Sequence, residues 1–314
     1  MANISIVTVA MNRTTHLKQC VSAVSKIKCH CEHIILDFQS NPKISINDLP
    51  SNDKRIKLHY AESTSPQWWL THSYNLAFSL ARSEYILKLD ADNLISEKFI
   101  LDTLNLAVSN NADLLCNRLT LQDWNMPSEY FATSGIFLCK ASALATVRGF
   151  NPYIKGWGWD EIDLYSRFFL NGLSISKLPV SNNLEVIEHN DLLRDSSVAK
   201  SNSTNCLGAK NARNKAVAIK SISNQITWPS LSDYKKYYES IGKLVPLNQI
   251  NLFTLQEKES LQLLLIKELY NPSRFQNLQW NFLKLFSLGP YSKENIKKTL
   301  LNYDIDFDLI SFSS

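Results

Sequence analysis

Residues 156–164 read Gly-Trp-Gly-Trp-Asp-Glu-Ile-Asp-Leu, so Asp160, Glu161 and Asp163 crowd together just after two tryptophans spaced by glycines. Carboxylates packed this closely repel one another, and a folded chain keeps them where a cation or a ligand's hydroxyl groups can use them. Trp157 and Trp159 offer flat apolar faces of the kind that stack on a sugar ring. Gly156 and Gly158 let the backbone bend and come close to a ligand. The plain alternative is a surface turn whose tryptophans plug the core. A second acidic pair is Asp90-Ala91-Asp92, which follows an apolar run and precedes a helical pattern. Two carboxylates at such a strand end can hold a hard divalent cation, with phosphate oxygens completing its shell. The spacing alone is weak evidence, because Asp304-Ile305-Asp306-Phe307-Asp308 repeats it twice without that context. Asp92 could instead cap the following helix. His189 is the candidate nitrogen to complete a metal site with Asp92, although a lone histidine is more often structural than a ligand. Arg13, beside Asn12, could grip a phosphate or a base, or simply begin a helix at the surface. Trp68-Trp69 could line an acceptor groove or fill the core.

Something must bring these residues together. The first half of the chain alternates apolar runs with amphipathic stretches: strands are expected at Ile4–Val9, His33–Leu36, Ile56–Tyr60, Tyr85–Leu89 and Asp113–Cys116. Helical spacing runs over His16–Ile27, Thr71–Arg82 and Lys98–Val108. Such alternation predicts an α/β fold with a mostly parallel sheet covered by helices on both faces. Ligands of these sheets bind beyond the carboxyl ends of the strands, and Thr8, Asp37 and Asp90 all fall there. A polar, basic stretch around Lys210, Arg213 and Lys215 reads as a linker, as a lid or as an ordinary solvated helix. Helical patterns return at Leu252–Tyr270 and Lys293–Asn302. The expected organisation is a catalytic domain over 1–200, a linker or lid over 201–228 and a helical C-terminal appendage over 229–314.

The chain's 314 residues are enough for a full core, and 45% apolar with 20% charged residues is the balance of a globular protein rather than a membrane or disordered one. A net charge of +4 is too mild to argue for a nucleic-acid partner. The opening Met-Ala-Asn-Ile-Ser-Ile-Val-Thr-Val reads as a buried strand and not as a signal peptide. Cys20, Cys29, Cys31, Cys116, Cys139 and Cys206 are scattered, and Cys29 with Cys31 has no second pair to make a zinc site. Free thiols and a cytoplasmic protein are expected.

The order of these features resembles the GT-A-fold glycosyltransferases of family 2. The span from Tyr130-Phe131-Ala132-Thr133-Ser134-Gly135 through residues 156–163 to Gly172-Leu173-Ser174-Ile175-Ser176 is similar to β-1,4-galactosyltransferases and related bacterial polymerases. The likeness covers roughly the first two hundred residues. It implies inverting transfer of a hexose or N-acetylhexosamine from a UDP-sugar to a glycan hydroxyl, a bacterial surface polysaccharide or lipopolysaccharide being the expected acceptor. By position, Thr8, Arg13, Asp37, Asp90, Trp157 and Gly158 would hold the sugar nucleotide. Asp92 and His189 would bind manganese or magnesium on the diphosphate, and Asp90 would contact the ribose or the metal. Glu161 would be the base and Asp160 would hold an acceptor hydroxyl. The family often has Glu-Asp where this chain has Asp160-Glu161, so the base stays open between them. Val186 stands where the galactosyltransferases carry a methionine ligand, and Ala132-Thr133 replaces their paired glycines, so donor choice does not carry over. Retaining transfer, a sugar-binding module without catalysis, and a scaffold whose tail recruits partners or touches the inner membrane face are the alternatives.

Overall fold

The computed structural model describes residues 3–50, 52–62, 68–117, 135–156, 158–179, 184–187, 214–247 and 252. Its centre is a seven-stranded sheet. β1 (Ile4–Ala10), β2 (Glu32–Phe38), β3 (Ile56–Ala61), β4 (Tyr85–Lys88), β6 (Leu114–Cys116), β7 (Phe137–Lys140) and β8 (Ile175–Lys177) lie in the order β3-β2-β1-β4-β7-β6-β8. The pairs β1–β2, β2–β3, β1–β4 and β6–β8 are parallel, while β7 runs against both of its neighbours. The expectation of a mostly parallel sheet thus holds with one reversed strand. Every residue of β1 is buried, as a central strand covered on both faces requires. A short antiparallel pair, β5 (Asn93–Ile95) with β9 (Leu184–Val186), sits just past Asp92. The helix cap is therefore not Asp92. Ser96 caps α3 (Glu97–Ser109), accepting from the Phe99 amide.

One face of the sheet is packed by α1 (Thr14–Ser25) and α3, through Cys20, Val24, Phe99, Leu104 and Ala107. The opposite face carries α2 (Leu70–Leu80), α4 (Ala141–Thr146) and α5 (Asp160–Leu170), through Leu76, Phe78, Leu144, Leu164 and Phe168. The helical turns of α1 bury Leu17, Cys20, Val21 and Val24, the spacing that marked it in the sequence.

α2 breaks the usual rule for a surface helix. Thr71, His72, Ser73 and Asn75 are polar, yet they are buried with its apolar residues. They are covered by α7 (Leu231–Ile241), which follows helix 214–222 (α6) and belongs to the same core as the sheet. Tyr234 of α7 is fully buried, with its hydroxyl 2.5 Å from His72 Nδ1 and accepting from Asn75 Nδ2 at 3.4 Å. α7 is well specified locally: Ser230 and Asp233 form a capping box and Gly242 ends the helix in the left-handed conformation. Tyr238 donates to the Tyr60 carbonyl, tying α7 to the edge strand β3. Arg148 and Trp228 exchange hydrogen bonds to each other's carbonyls at 2.8 Å. The described residues after 213 are thus packed into the catalytic unit. Residues 201–213 and the helical patterns at 252–270 and 293–302 lie outside the described residues, Leu252 excepted.

Because Tyr234 sits in this core with its hydroxyl satisfied, Tyr234→Ala should lower stability by about 3 to 5 kcal/mol, as other large aromatic truncations do. Urea unfolding measures it, and a loss under about 1 kcal/mol would show that α7 merely hangs on the domain.

Candidate active site

The site forms where β4 ends. Lys88, the last residue of β4, is fully buried in an otherwise apolar strand. Its Nζ donates to Asp90 Oδ1 at 2.8 Å, to Asp90 Oδ2 at 3.0 Å and to the Gly135 carbonyl at 2.7 Å. The ring of Tyr74 lies 4.7 Å beneath the same nitrogen, and the Tyr74 hydroxyl donates to Asp90 Oδ1 at 2.8 Å. Burial alone would push the lysine's pKa down; the carboxylates of Asp90, Glu161 and Asp160 outweigh it, and the net direction is up. Lys88 is therefore an ammonium.

The register of β4 against β7, with Lys88 opposite Phe137, carries on to set Gly135 beside Asp90. A Cβ on Gly135 would lie 2.6 Å from Asp90 Oδ2, 3.0 Å from Lys88 Nζ and 3.3 Å from Glu161 Oε1. Glycine is needed there for space, and its bare α-carbon is where the two acidic motifs of the sequence meet.

The three acids of the second motif separate into three roles. Asp160, Glu161 and Asp163 all occupy the first turn of α5, where the free amides of a helix start favour negative charge. Asp160 is 2% exposed and hydrogen-bonded to Glu161. Burial first, then the charge of Glu161, push its pKa well above the usual carboxylate range, against the pull of Lys88. Burial thus favours the neutral form of Asp160. Glu161 is only partly buried and faces Gly135, Asp90 and Lys88. Asp163 is fully buried and paired with Arg167, whose Nε and Nη2 reach Oδ2 at 2.9 and 2.7 Å. Arg167 also donates to the carbonyls of Val147 and Gly149. Asp163 is a structural acid.

The loop ahead of α5 is pinned from two sides. From α2, Asn75 donates to the Phe150 carbonyl and accepts from the Phe150 amide, at 2.8 and 2.7 Å. Thr71 donates to the Ile154 carbonyl and the Trp69 indole to the Pro152 carbonyl. Asn75 comes so close that a Cβ on Gly149 would sit 2.3 Å from its Oδ1. From α6, the fully buried Asn214 donates to the carbonyls of Lys155 and Gly158 at 2.9 and 3.1 Å. Gly156, Gly158 and Trp159 all take positive φ, at 75°, 93° and 70°. The expected bend is real, and Trp159, a bulky residue in that region, is held there by its surroundings.

Other expected site residues fall less simply. Trp159 is 7% exposed, so it fills the core instead of offering a sugar a face, with Lys215 Nζ 5.5 Å above its ring. Trp157 lies outside the described residues. Thr8 is fully buried and bonded to His33 at 3.0 Å, so its side chain supports the sheet and meets no open cleft. Asp37 is 1% exposed, and its two oxygens accept from the Ser40 and Ile44 amides, shaping the loop after β2. That loop also binds Asn12, whose Oδ1 accepts from the Asn41 amide. Arg13 is half-buried at the start of α1, beside the same loop. Trp68 and Trp69 are half-buried against the core, Trp68 edge-on to Phe38 and Trp69 beneath Lys155. His189 lies outside the described residues, but Ile187, two positions earlier, donates to the Asp92 carbonyl at 2.7 Å. Of the basic segment, Lys210 and Arg213 are outside as well.

Sequence reasoning missed Lys88, Tyr74, Gly135 and Asn214. Lys88 carried a signal, a lone charge inside Tyr-Ile-Leu-Lys-Leu; Asn214 carried none.

A divalent cation fits this site through Asp92, a half-exposed hard oxygen donor, with the chain approaching it through Ile187. Asp90 suits the task poorly, since both oxygens already accept from an ammonium. Among the described residues no group of three His, Cys, Asp or Glu converges as a metal site.

Residues 5–138 match the model of glycosyl transferase family 2, and residues 117–190 that of the N-terminal domain of galactosyltransferase. No curated protein matches the chain. S. aureus TarS 1-349, in complex with UDP-GlcNAc, superposes with a TM-score of 0.50 at 14% identity, covering 85% of this chain and 81% of that one, and shares its fold. A mutant Drosophila β-1,4-galactosyltransferase 7 with manganese, UDP-Gal and xylobiose gives a TM-score of 0.43 at 16% identity, covering 65% and 78%. A Pyrobaculum calidifontis mannosyltransferase with GDP-Man and Mn2+ gives 0.48 at 11% identity, covering 95% and 83%. The chain covers 49% of another S. aureus TarS structure, about half its length. No helix among the described residues is long and apolar enough to cross a membrane.

The raised pKa of Asp160 has a measurable sign. Its stabilising proton is shared by folded and unfolded chains below about pH 4 and held by the folded chain alone above that. Folding is therefore progressively disfavoured as pH rises toward the raised value. Asp160→Asn keeps the hydrogen bond without the proton, so its melting temperature should fall less than the wild type's between about pH 4 and pH 8. Parallel curves would show that Asp160 does not hold that proton.

Proposed function

We propose that this chain, a glycosyltransferase with the GT-A fold and a family 2 first half, moves a sugar from a UDP-sugar to a hydroxyl of a glycan acceptor with inversion at the anomeric carbon. The observation that carries the reading is the meeting of Glu161, Asp90 and Lys88 around the bare α-carbon of Gly135, at the carboxyl end of β4. In sheets of this kind that edge is where nucleotide ligands bind.

Glu161 acts as the base. It is the outward carboxylate of its pair, while Asp160 behind it holds a proton and orients it through a hydrogen bond. An acceptor hydroxyl at hydrogen-bond distance from Glu161 gives up its proton as its oxygen attacks the anomeric carbon. The carbon–oxygen bond to the diphosphate breaks on the opposite face, and one such displacement inverts the configuration. Asp92 and His189 would hold a manganese or magnesium ion, which when bound stabilises negative charge on the leaving diphosphate. The loop of Asn12, Asp37 and Ser40, with Arg13 beside it, forms the floor on which the nucleoside would rest. The fold shared with the UDP-GlcNAc complex of S. aureus TarS supports a UDP-sugar. A surface polysaccharide or lipopolysaccharide is the proposed acceptor.

Thermal-shift titration with UDP- and GDP-sugars, with and without manganese, identifies the donor, since stabilisation grows with ligand concentration over Kd. Glu161→Gln should leave UDP affinity within a few-fold and lower kcat by ~10²–10⁴-fold. Wild-type kcat in that variant, or retained anomeric configuration in the product, would overturn this mechanism.

A further inference from the structure

Lys88 has no part in the mechanism above, yet it is fully buried and fully bonded at the centre of the site. Its three N–H bonds all go to protein: two to the oxygens of Asp90 and one to the Gly135 carbonyl. With no donor left and no exposed surface, it can touch neither phosphate nor sugar, so any effect on the reaction runs through a neighbour. The neighbour is Asp90. Lys88 from below and the Tyr74 hydroxyl from the side fix the plane of that carboxylate. A third of the Asp90 side chain remains exposed, and its Oδ2 borders the same space over Gly135 as Glu161 Oε1.

Resting on the sugar-transfer reading, we infer that Lys88 is a positioning residue: it clamps Asp90 to the Gly135 carbonyl and supplies the positive charge that lets Asp90 and Glu161 share one small space. With its charge matched and two donors already on it, Asp90 is left to accept from a neutral donor, a substrate hydroxyl, rather than to ligate the cation. Lys88 thereby divides the acidic pair of the strand end, Asp90 for a hydroxyl and Asp92 for the metal. Without the ammonium, Asp90 would stand as a second unmatched charge beside the base.

A double-mutant cycle on the full chain tests this. Wild-type turnover of a UDP-sugar is measured first, and its absence with every donor and acceptor would overturn the sugar-transfer reading and this inference with it. Given turnover, Lys88→Met should lower kcat by ~10²-fold, the scale of a misplaced reacting group, with UDP affinity by calorimetry changed less than threefold. A merely structural role would lower melting temperature, affinity and kcat together. Because Lys88 acts through Asp90, adding Asp90→Asn to Lys88→Met should cost no further rate and should recover part of it. Additive losses, or wild-type kcat in Lys88→Met, would overturn the inference while leaving the sugar-transfer reading standing. Should Lys88→Met not fold, Tyr74→Phe removes the other donor to Asp90; it should show a smaller kcat loss that vanishes in the Asp90→Asn background, and an additive loss there would overturn the inference equally. In the same series, manganese dependence should survive Asp90→Asn and be lost in Asp92→Asn, and the reverse pattern would return the cation to Asp90.

Discussion

Negative charge accumulates at the carboxyl edge of this sheet, and a single ammonium sealed beneath it is what permits the accumulation. Asp90, Glu161 and Asp160 all lie close enough to Lys88 to raise its pKa, and in a site of low polarity such charges would otherwise expel one another or take up protons. The chain uses both remedies. Lys88 compensates the outer carboxylates, and burial raises the pKa of the deepest acid, Asp160, toward its neutral form. A buried lysine is tolerated only when all its donors are satisfied and its charge is matched, which here requires Asp90 in one orientation and the Gly135 carbonyl in one place. The same demands that make Lys88 stable therefore fix the geometry of the site.

The second requirement is mechanical. Gly156 and Gly158 take positive φ freely, but Trp159 beside them holds it too, and a bulky residue stays there only if surrounding structure over-determines it. The restraint comes from opposite sides. Asn75, Thr71 and Trp69 on and before α2 grip residues 150–154, and Asn214 on α6 grips the loop at Lys155 and Gly158. Those α2 residues are polar and buried, so they can do this only because α7 closes over the helix and satisfies His72 and Asn75 through Tyr234. Distance along the chain is deceptive here: a helix past residue 230 determines how firmly a motif at residue 160 is held.

Much of the first half of the fold could be read from periodicity, because a covered parallel sheet writes itself as apolar runs separated by helices that bury every third or fourth residue. The acidic motifs were legible for a related reason: acids beside glycine and tryptophan have few uses in a core. What the pattern hid was direction. An exposed tryptophan and a buried one have the same letter, and Trp159 turned inward because the left-handed bend at its own position aims it at the core. Thr8 stood at the expected strand end but on the face beneath α1, where His33 claims its hydroxyl. The burial of the polar face of α2 has no signal in its own segment, because α7, which covers it, lies over 150 residues downstream. Asp163 and Arg167 stand four apart, the spacing of a pair on one helical face, yet among three crowded acids nothing in the letters set Asp163 aside as structural.

The first turn of α5 also bears on which acid suits the proposed role of base. Successive residues of a helix point about 100° apart, so Asp160 and Glu161 cannot both face the cleft from the first turn of α5. With Trp159 packed inward and the loop pinned at Gly158, the helix starts with Asp160 turned into the core, and Glu161 takes the outward direction. Exchanging the two acid types relative to the family's usual order changes the length of each side chain and leaves their directions alone. The longer glutamate then extends from the second position toward Gly135 and Asp90. Its reach ends over Gly135, which lies just ahead of β7 and leaves no side chain in the way, so helix geometry and the missing Cβ at residue 135 turn Glu161 rather than Asp160 toward the cleft, and the Asp–Glu order is no obstacle to the proposed base.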